Sequence, residues 1–251
     1  TLLGRVALWA PLVFTPEAPG PLATVPLARI AGIGLGKNGD ILLATSGHGA
    51  GVITSHGGYT ITRRDSLIED KLFAIADRAD GTRYFATAVG LCAQVNDTTI
   101  VSFQAGAGIP RGEVRAIVPG ERNAFYLLVE NRGVYRFDGM RAVEVESPAG
   151  VRLASAESIS FGGDGTLWAL GDGWVLARRG GKWSRAPLPP ADADASWRVV
   201  VADGSGAFVG SSDGRVVALG RGGAFRVMLP GGLPAPRVQS LPRPHPDDPG
   251  P

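Results

Sequence analysis

The sequence has one cysteine, Cys92, and three histidines in 251 residues. A lone cysteine excludes an internal disulfide framework and a Cys-based zinc site. His48, His56 and His245 are scattered, with no second histidine or cysteine at i+2 or i+4, so neither a metal nor a cofactor is expected. Charge is scarce and balanced: 19% of residues are charged, 25 basic against 23 acidic, for a net charge of +2. That balance gives no electrostatic case for nucleic acid. Long apolar runs are missing too. None approaches the roughly 18 residues a membrane span requires, and the most apolar early stretch, residues 6–14, is interrupted by Pro11. No direct membrane insertion is expected.

Glycine and proline are abundant, at 37 and 19 residues, in a chain that is still 44% apolar. That much apolar surface has to be buried, so Gly and Pro read as punctuation between many short strands. The punctuation is periodic. Turn signals occur at Asn38-Gly39-Asp40, Asp80-Gly81, Asn123, Asp164-Gly165 and Ser205-Gly206. Positions 39, 81, 123, 165 and 206 are separated by 42, 42, 42 and 41 residues. Six residues before each stands an aliphatic side chain: Ile33, Ile75, Ile117, Ile159 and Val200. After each comes a hydrophobic strand such as Tyr84-Phe85-Ala86-Thr87 or Leu167-Trp168-Ala169-Leu170. A second glycine (Gly51, Gly90, Gly133, Gly173, Gly214) opens a third strand, and a weaker fourth follows. Four short strands per unit joined by tight turns is the sequence form of a β-propeller blade.

An all-β chain of one domain is therefore expected, with full units at about 28–69, 70–111, 112–153, 154–194 and 195–232. The ends look like two halves of a further blade. Gly4-Arg5-Val6 matches Gly214-Arg215-Val216, and Arg237-Val238-Gln239-Ser240-Leu241 matches the segment beginning at Arg29. Pairing residues 1–27 with 233–251 would give six blades and a ring without exposed strand edges. The alternative is a piece of a longer array, and the proline-rich stretch 242–251 is poor strand material.

The motif Leu72-x-x-Ile75-x(4)-Asp80-Gly81-Thr82, followed by Thr87-x-x-Gly90-Leu91, resembles the two-component-regulator propeller repeat. So do Ile159-x(4)-Asp164-Gly165-Thr166-Leu167-Trp168 and Gly133-Val134-Tyr135-Arg136-Phe137-Asp138-Gly139. The Gly-His and Trp-Asp pairs of WD-repeat blades are missing. The resemblance implies a bacterial, extracytoplasmic (periplasmic or secreted) propeller, of the kind that forms sensor regions of hybrid histidine kinases.

In a propeller the first strand of each blade lines a central channel, and binding uses the loops gathered at one mouth. Two tiers of each first strand are largely polar. One holds Arg29, Lys71, Glu113, Ser155, Ser196 and Arg237; the other holds Ala31, Phe73, Arg115, Glu157, Arg198 and Gln239. Two readings follow: a mouth that holds an anionic or carbohydrate-like ligand, or a water-filled channel of mutually paired charges. Under the first, Arg29, Lys71, Glu113, Arg115, Glu157, Arg198 and Arg237 are the candidate binding residues, with Trp197 as an aromatic anchor. Trp168, Trp174 and Trp183 are expected to pack between blades, and Cys92, on a strand between apolar residues, to be a small core residue.

Other motifs fail on context. Gly34-x-Gly36-x-x-Gly39 has the letters of a dinucleotide fingerprint, but a strand rather than a helix follows it. Asp192-x-Asp194 lacks the rest of a calcium loop, and Asn96-Asp97-Thr98 is a glycosylation sequon only by letters. Hydrolytic and lyase propellers place His and carboxylates around the channel, whereas the inner tiers here offer Glu113 and Glu157 and no His. The expectation is a non-enzymatic binding or sensing module for a small molecule, carbohydrate or protein partner. A protein–protein scaffold is the alternative, and a propeller lyase or hydrolase ranks third.

Overall fold

The computed structural model describes residues 29–96, 98–105, 108–189, 195–204, 206–220 and 225–229. These residues form five four-stranded antiparallel sheets. The first holds β1 (Ile30–Leu35), β2 (Ile41–Thr45), β3 (Ala50–Thr54) and β4 (Gly57–Ile61). The second holds β5 (Leu72–Asp77), β6 (Arg83–Thr87), β7 (Gly90–Asn96) and β8 (Thr99–Phe103). The third holds β9 (Val114–Pro119), β10 (Phe125–Val129), β11 (Gly133–Phe137) and β12 (Ala142–Glu144). The fourth holds β13 (Ala156–Phe161), β14 (Leu167–Gly171), β15 (Trp174–Arg179) and β16 (Lys182–Ala186). The fifth holds β17 (Trp197–Ala202), β18 (Gly206–Ser211), β19 (Val216–Gly220) and β20 (Phe225–Leu229). Each sheet is a simple meander, and β1, β5, β9, β13 and β17 pack against one another in turn.

The turn signals act as their chemistry requires. The amide of Gly36 donates to the carbonyl of Asp40, and the same bond recurs one repeat later each time, from Arg78 to Thr82, Gly120 to Ala124 and Gly162 to Thr166. Gly39, Gly81 and Gly165 have φ of 82°, 95° and 80°, a region costly for residues with a Cβ. In the third sheet Arg122 and Asn123 take its place, with φ of 52° and 61°. The fifth sheet departs from the expected anchor. Gly206 begins β18, and Asp203 donates to the carbonyl of Gly206 in a hairpin one residue shorter than the others.

Hydrophobic clusters fill the spaces between successive sheets. Between the second and third, Tyr84 meets Phe125 edge-on at 5.0 Å and Phe137 at 5.8 Å. Between the third and fourth lie Tyr126, Leu153, Leu167 and Trp174, with Trp183 against them donating its indole N–H to the carbonyl of Glu146. Between the fourth and fifth, Trp168 packs with Val200, Val209 and Val217. Burying each large side chain is worth about 1.5–3 kcal/mol, so these clusters are what hold the sheets in sequence. Cys92 is fully buried between the first and second sheets, where its sulfur accepts from the amide of Ile68 and desolvation pushes its thiol pKa up.

The described residues thus hold five sheets where the sequence suggested six blades. The two terminal halves expected to pair, 1–27 and 233–251, lie outside the described residues, as do Asp192, Asp194, Arg237 and His245. Among the described residues no helix is long and apolar enough to cross a membrane.

Candidate functional site

Each inner strand carries one irregularity, and it falls at the same place every time. In β1 the pairing with β2 skips from Ile30 to Gly32; in β5 the pairing with β6 skips from Leu72 to Ala74. In β9 it skips from Val114 to Ala116, in β13 from Ala156 to Ser158, and in β17 from Trp197 to Val199. The extra residues are Ala31, Phe73, Arg115, Glu157 and Arg198, which are the second polar tier of the repeat. A bulge turns its extra residue away from the alternation of the strand and so re-aims the side chain. All five bulged residues line a single cavity of about 690 Å³, together with Leu128, Glu130, Asn131 and residues 154–156. Side chains from five sheets converge there, as expected at the mouth of a central channel.

The charges at this mouth are paired, largely between neighbouring sheets. Arg198 donates to Glu157 at 3.0 Å, and Lys71 to Glu113 at 3.4 Å. Arg115 Nη2 donates to Glu130 Oε1 at 2.6 Å and lies at the same distance from Glu113 Oε2. Phe73 presents its ring to two cations, Arg115 at 4.4 Å and Lys71 at 5.0 Å from the centroid. The side chain of Arg198 is 59% exposed and that of Arg115 40%, so both remain open to a ligand. Deeper in, Ser158 and Ser160 accept from the amides of Val200 and Ala202 at 3.1 and 2.9 Å, which occupies donors along the free edge of β17.

Arg115, Glu157 and Arg198 are therefore brought together in the cavity, while Lys71 and Glu113 flank it through ion pairs. Arg29 is exposed at φ 57° just before β1 and does not line the cavity. Trp197 requires a correction. Although next to Arg198, it precedes the bulge and turns into the cluster between the fourth and fifth sheets, where it is 5% exposed beneath the Arg215 guanidinium. Glu130 and Asn131 were missed because they belong to the turn between β10 and β11. A signal existed: that turn, Glu130-Asn131-Arg132, is one residue longer than Ala88-Val89 in the second sheet.

No protein-family model matches this chain, and no curated protein sequence matches it. Solved structures do. Virginiamycin B lyase from Staphylococcus aureus aligns at 15% identity over 83% of this chain and 71% of its own, with a TM-score of 0.65. The extracellular domain of a putative one-component system from B. thetaiotaomicron aligns at 12% identity over 80% of this chain and 30% of its own, also at 0.65. PorZ, a surface component of the type-IX secretion system of Porphyromonas gingivalis, aligns at 11% over 80% and 28%, at 0.60. The fold is that of a β-propeller. At these identities the likeness concerns the fold alone, and the chain spans under a third of the two longer propeller proteins.

Proposed function

We propose that this propeller is an extracytoplasmic binding or sensing module whose ligand sits at the channel mouth between Arg115, Glu157 and Arg198. The observation that carries the reading is the alignment of five bulges onto one cavity. Each of the five interruptions delivers one side chain to the same place. An anionic or hydroxyl-rich ligand suits the cavity, since exposed guanidinium groups and carboxylates alternate around it. Lys71, Glu113, Arg29 and Arg237 are the outer members of the site in this reading, and a sixth blade from residues 1–27 and 233–251 completes the ring. The extracellular domains among the structural neighbours support the location and the sensing role.

The neighbours also include enzymes, virginiamycin B lyase and a GH74 enzyme. Among the described residues lining this mouth there is no histidine, and Glu157 and Glu130 are both in ion pairs, which supports binding over proton transfer. A protein–protein scaffold is the second reading, supported by the likeness to a secretion-system surface component.

The test is a thermal-stability screen against glycans, small organic acids and metal ions, since a specific ligand raises Tm by mass action. The Arg115→Ala/Arg198→Ala double variant is expected to fold normally and to lose the Tm rise given by the ligand. An unchanged ligand response in that variant would sink the mouth site.

A further inference from the structure

A second cavity opens on the same face, between the second and third sheets. It encloses about 790 Å³, within the common range of small-molecule sites, roughly 300–1,000 Å³. Gln104, Arg111, Glu113, Glu130, Asn131 and Arg132 supply its polar lining. It meets the channel mouth at Glu130 and Asn131, which line both cavities.

Two features mark this cleft as built. The loop carrying Arg111 is tied to the turn carrying Arg132, because the amide of Glu130 donates to the carbonyl of Glu113 at 2.9 Å. Gly112, between Arg111 and Glu113, has φ 147°, and a Cβ there would stand 2.9 Å from the Val129 side chain. Only glycine lets the loop pass so close, and that approach holds the two arginines on one cleft. The second feature is charge. At the mouth Lys71, Arg115 and Arg198 each have a carboxylate partner, whereas Arg111 and Arg132 make no ion pair among the described residues. Two unneutralised guanidinium groups and two side-chain amides face one cleft, with two glutamates on its inner wall.

We infer that this cleft binds a small hydroxylated carboxylate, a sugar acid in chemical class, with its carboxylate on Arg111 and Arg132 and its hydroxyls donating to Glu113 and Glu130. The glutamates decide between anions. A phosphate dianion has a single hydroxyl for two carboxylates and its second charge is repelled by them, while a monocarboxylate rich in hydroxyls satisfies both walls.

The experiment is isothermal titration of the whole chain with D-glucuronate, D-glucose and inorganic phosphate. Glucuronate is expected to bind with one-to-one stoichiometry, and glucose and phosphate far more weakly. Arg111→Ala/Arg132→Ala is expected to weaken glucuronate by at least about ten-fold, the equivalent of one charge-assisted hydrogen bond. Both residues are exposed, so this variant keeps the fold, which far-UV circular dichroism checks. Arg198→Ala, which alters the mouth alone, is expected to leave glucuronate affinity unchanged. The inference is overturned by no glucuronate binding at millimolar concentration, by phosphate binding as tightly, or by an unchanged affinity in the Arg111/Arg132 variant. Loss of glucuronate binding in Arg198→Ala instead would place that ligand at the mouth and also overturn it.

Discussion

Ring closure makes a sharp prediction at one repeated position. Ile75, Ile117, Ile159 and Val200 occupy equivalent places on the inner strands and are 5%, 7%, 5% and 2% exposed. Their counterpart Ile33 is 62% exposed among the described residues, with Leu35 at 76% and Ile41 at 43% on the same sheet. Truncating a buried isoleucine to alanine costs about 2–5 kcal/mol, whereas surface substitutions stay within about 0.5 kcal/mol. If a sixth blade built from residues 1–27 and 233–251 covers the first sheet, Ile33→Ala costs as much as Ile75→Ala, at least about 2 kcal/mol. For a chain of this size that lowers Tm by roughly 4 °C or more. Urea unfolding of the two variants beside the parent measures both costs at once. A cost for Ile33→Ala under about 0.5 kcal/mol, with Ile75→Ala at its full value, would refute closure over this face.

Three more outcomes follow from the described contacts. Asp77, whose side chain is 6% exposed, takes two bonds from Arg83 at 2.7 and 3.0 Å and one from the amide of Lys37, so Asp77→Ala should cost about 1–3 kcal/mol in urea unfolding, because Arg83 keeps only Asp40 at 3.7 Å and the Tyr59 hydroxyl; a loss near zero would show that the pair is solvated. Cys92 should resist a thiol reagent such as DTNB until the protein is unfolded, because its thiol is buried and its pKa raised, and rapid native-state labelling would contradict the packing. Asp80, Asp138 and Asp213 are held below the usual carboxylate range, by the Arg78 guanidinium, by the amides of Arg141 and Met140, and by the Ser211 hydroxyl respectively. A depressed carboxyl contributes stability above its unfolded pKa, about 3.9, that is lost as pH falls through its folded value, so Tm should drop on acidification below about pH 4; a Tm that rises there would contradict these contacts.

The repeat was legible because turn chemistry is local. Gly39, Gly81 and Gly165 sit where a left-handed residue is needed, and their spacing alone delivered the unit. Gly206 was misread for the same reason: it is the glycine nearest the expected spacing, but the hairpin had lost a residue and the glycine had moved into β18. The polar tier was legible as Arg115, Glu157 and Arg198 among apolar neighbours. The bulges that aim it were not, since a register shift is a property of two strands and leaves no mark in one. Trp197 was misplaced by that same gap: a plain strand says nothing of which neighbour of a bulge faces the channel. Glu130 and Arg132 were hidden in a turn, where no periodicity exists to single out a residue.

The central claim is that the five bulges build a ligand site at the channel mouth. It is tested most directly by a crystal structure of the chain with whichever compound raises its Tm most in the stability screen. The prediction is a ligand within hydrogen-bond distance of Arg115 and Arg198, in the cavity that Ala31, Phe73 and Glu157 also line. A ligand bound on the outer strands β4, β8, β12, β16 or β20, with the mouth holding only solvent, would contradict it.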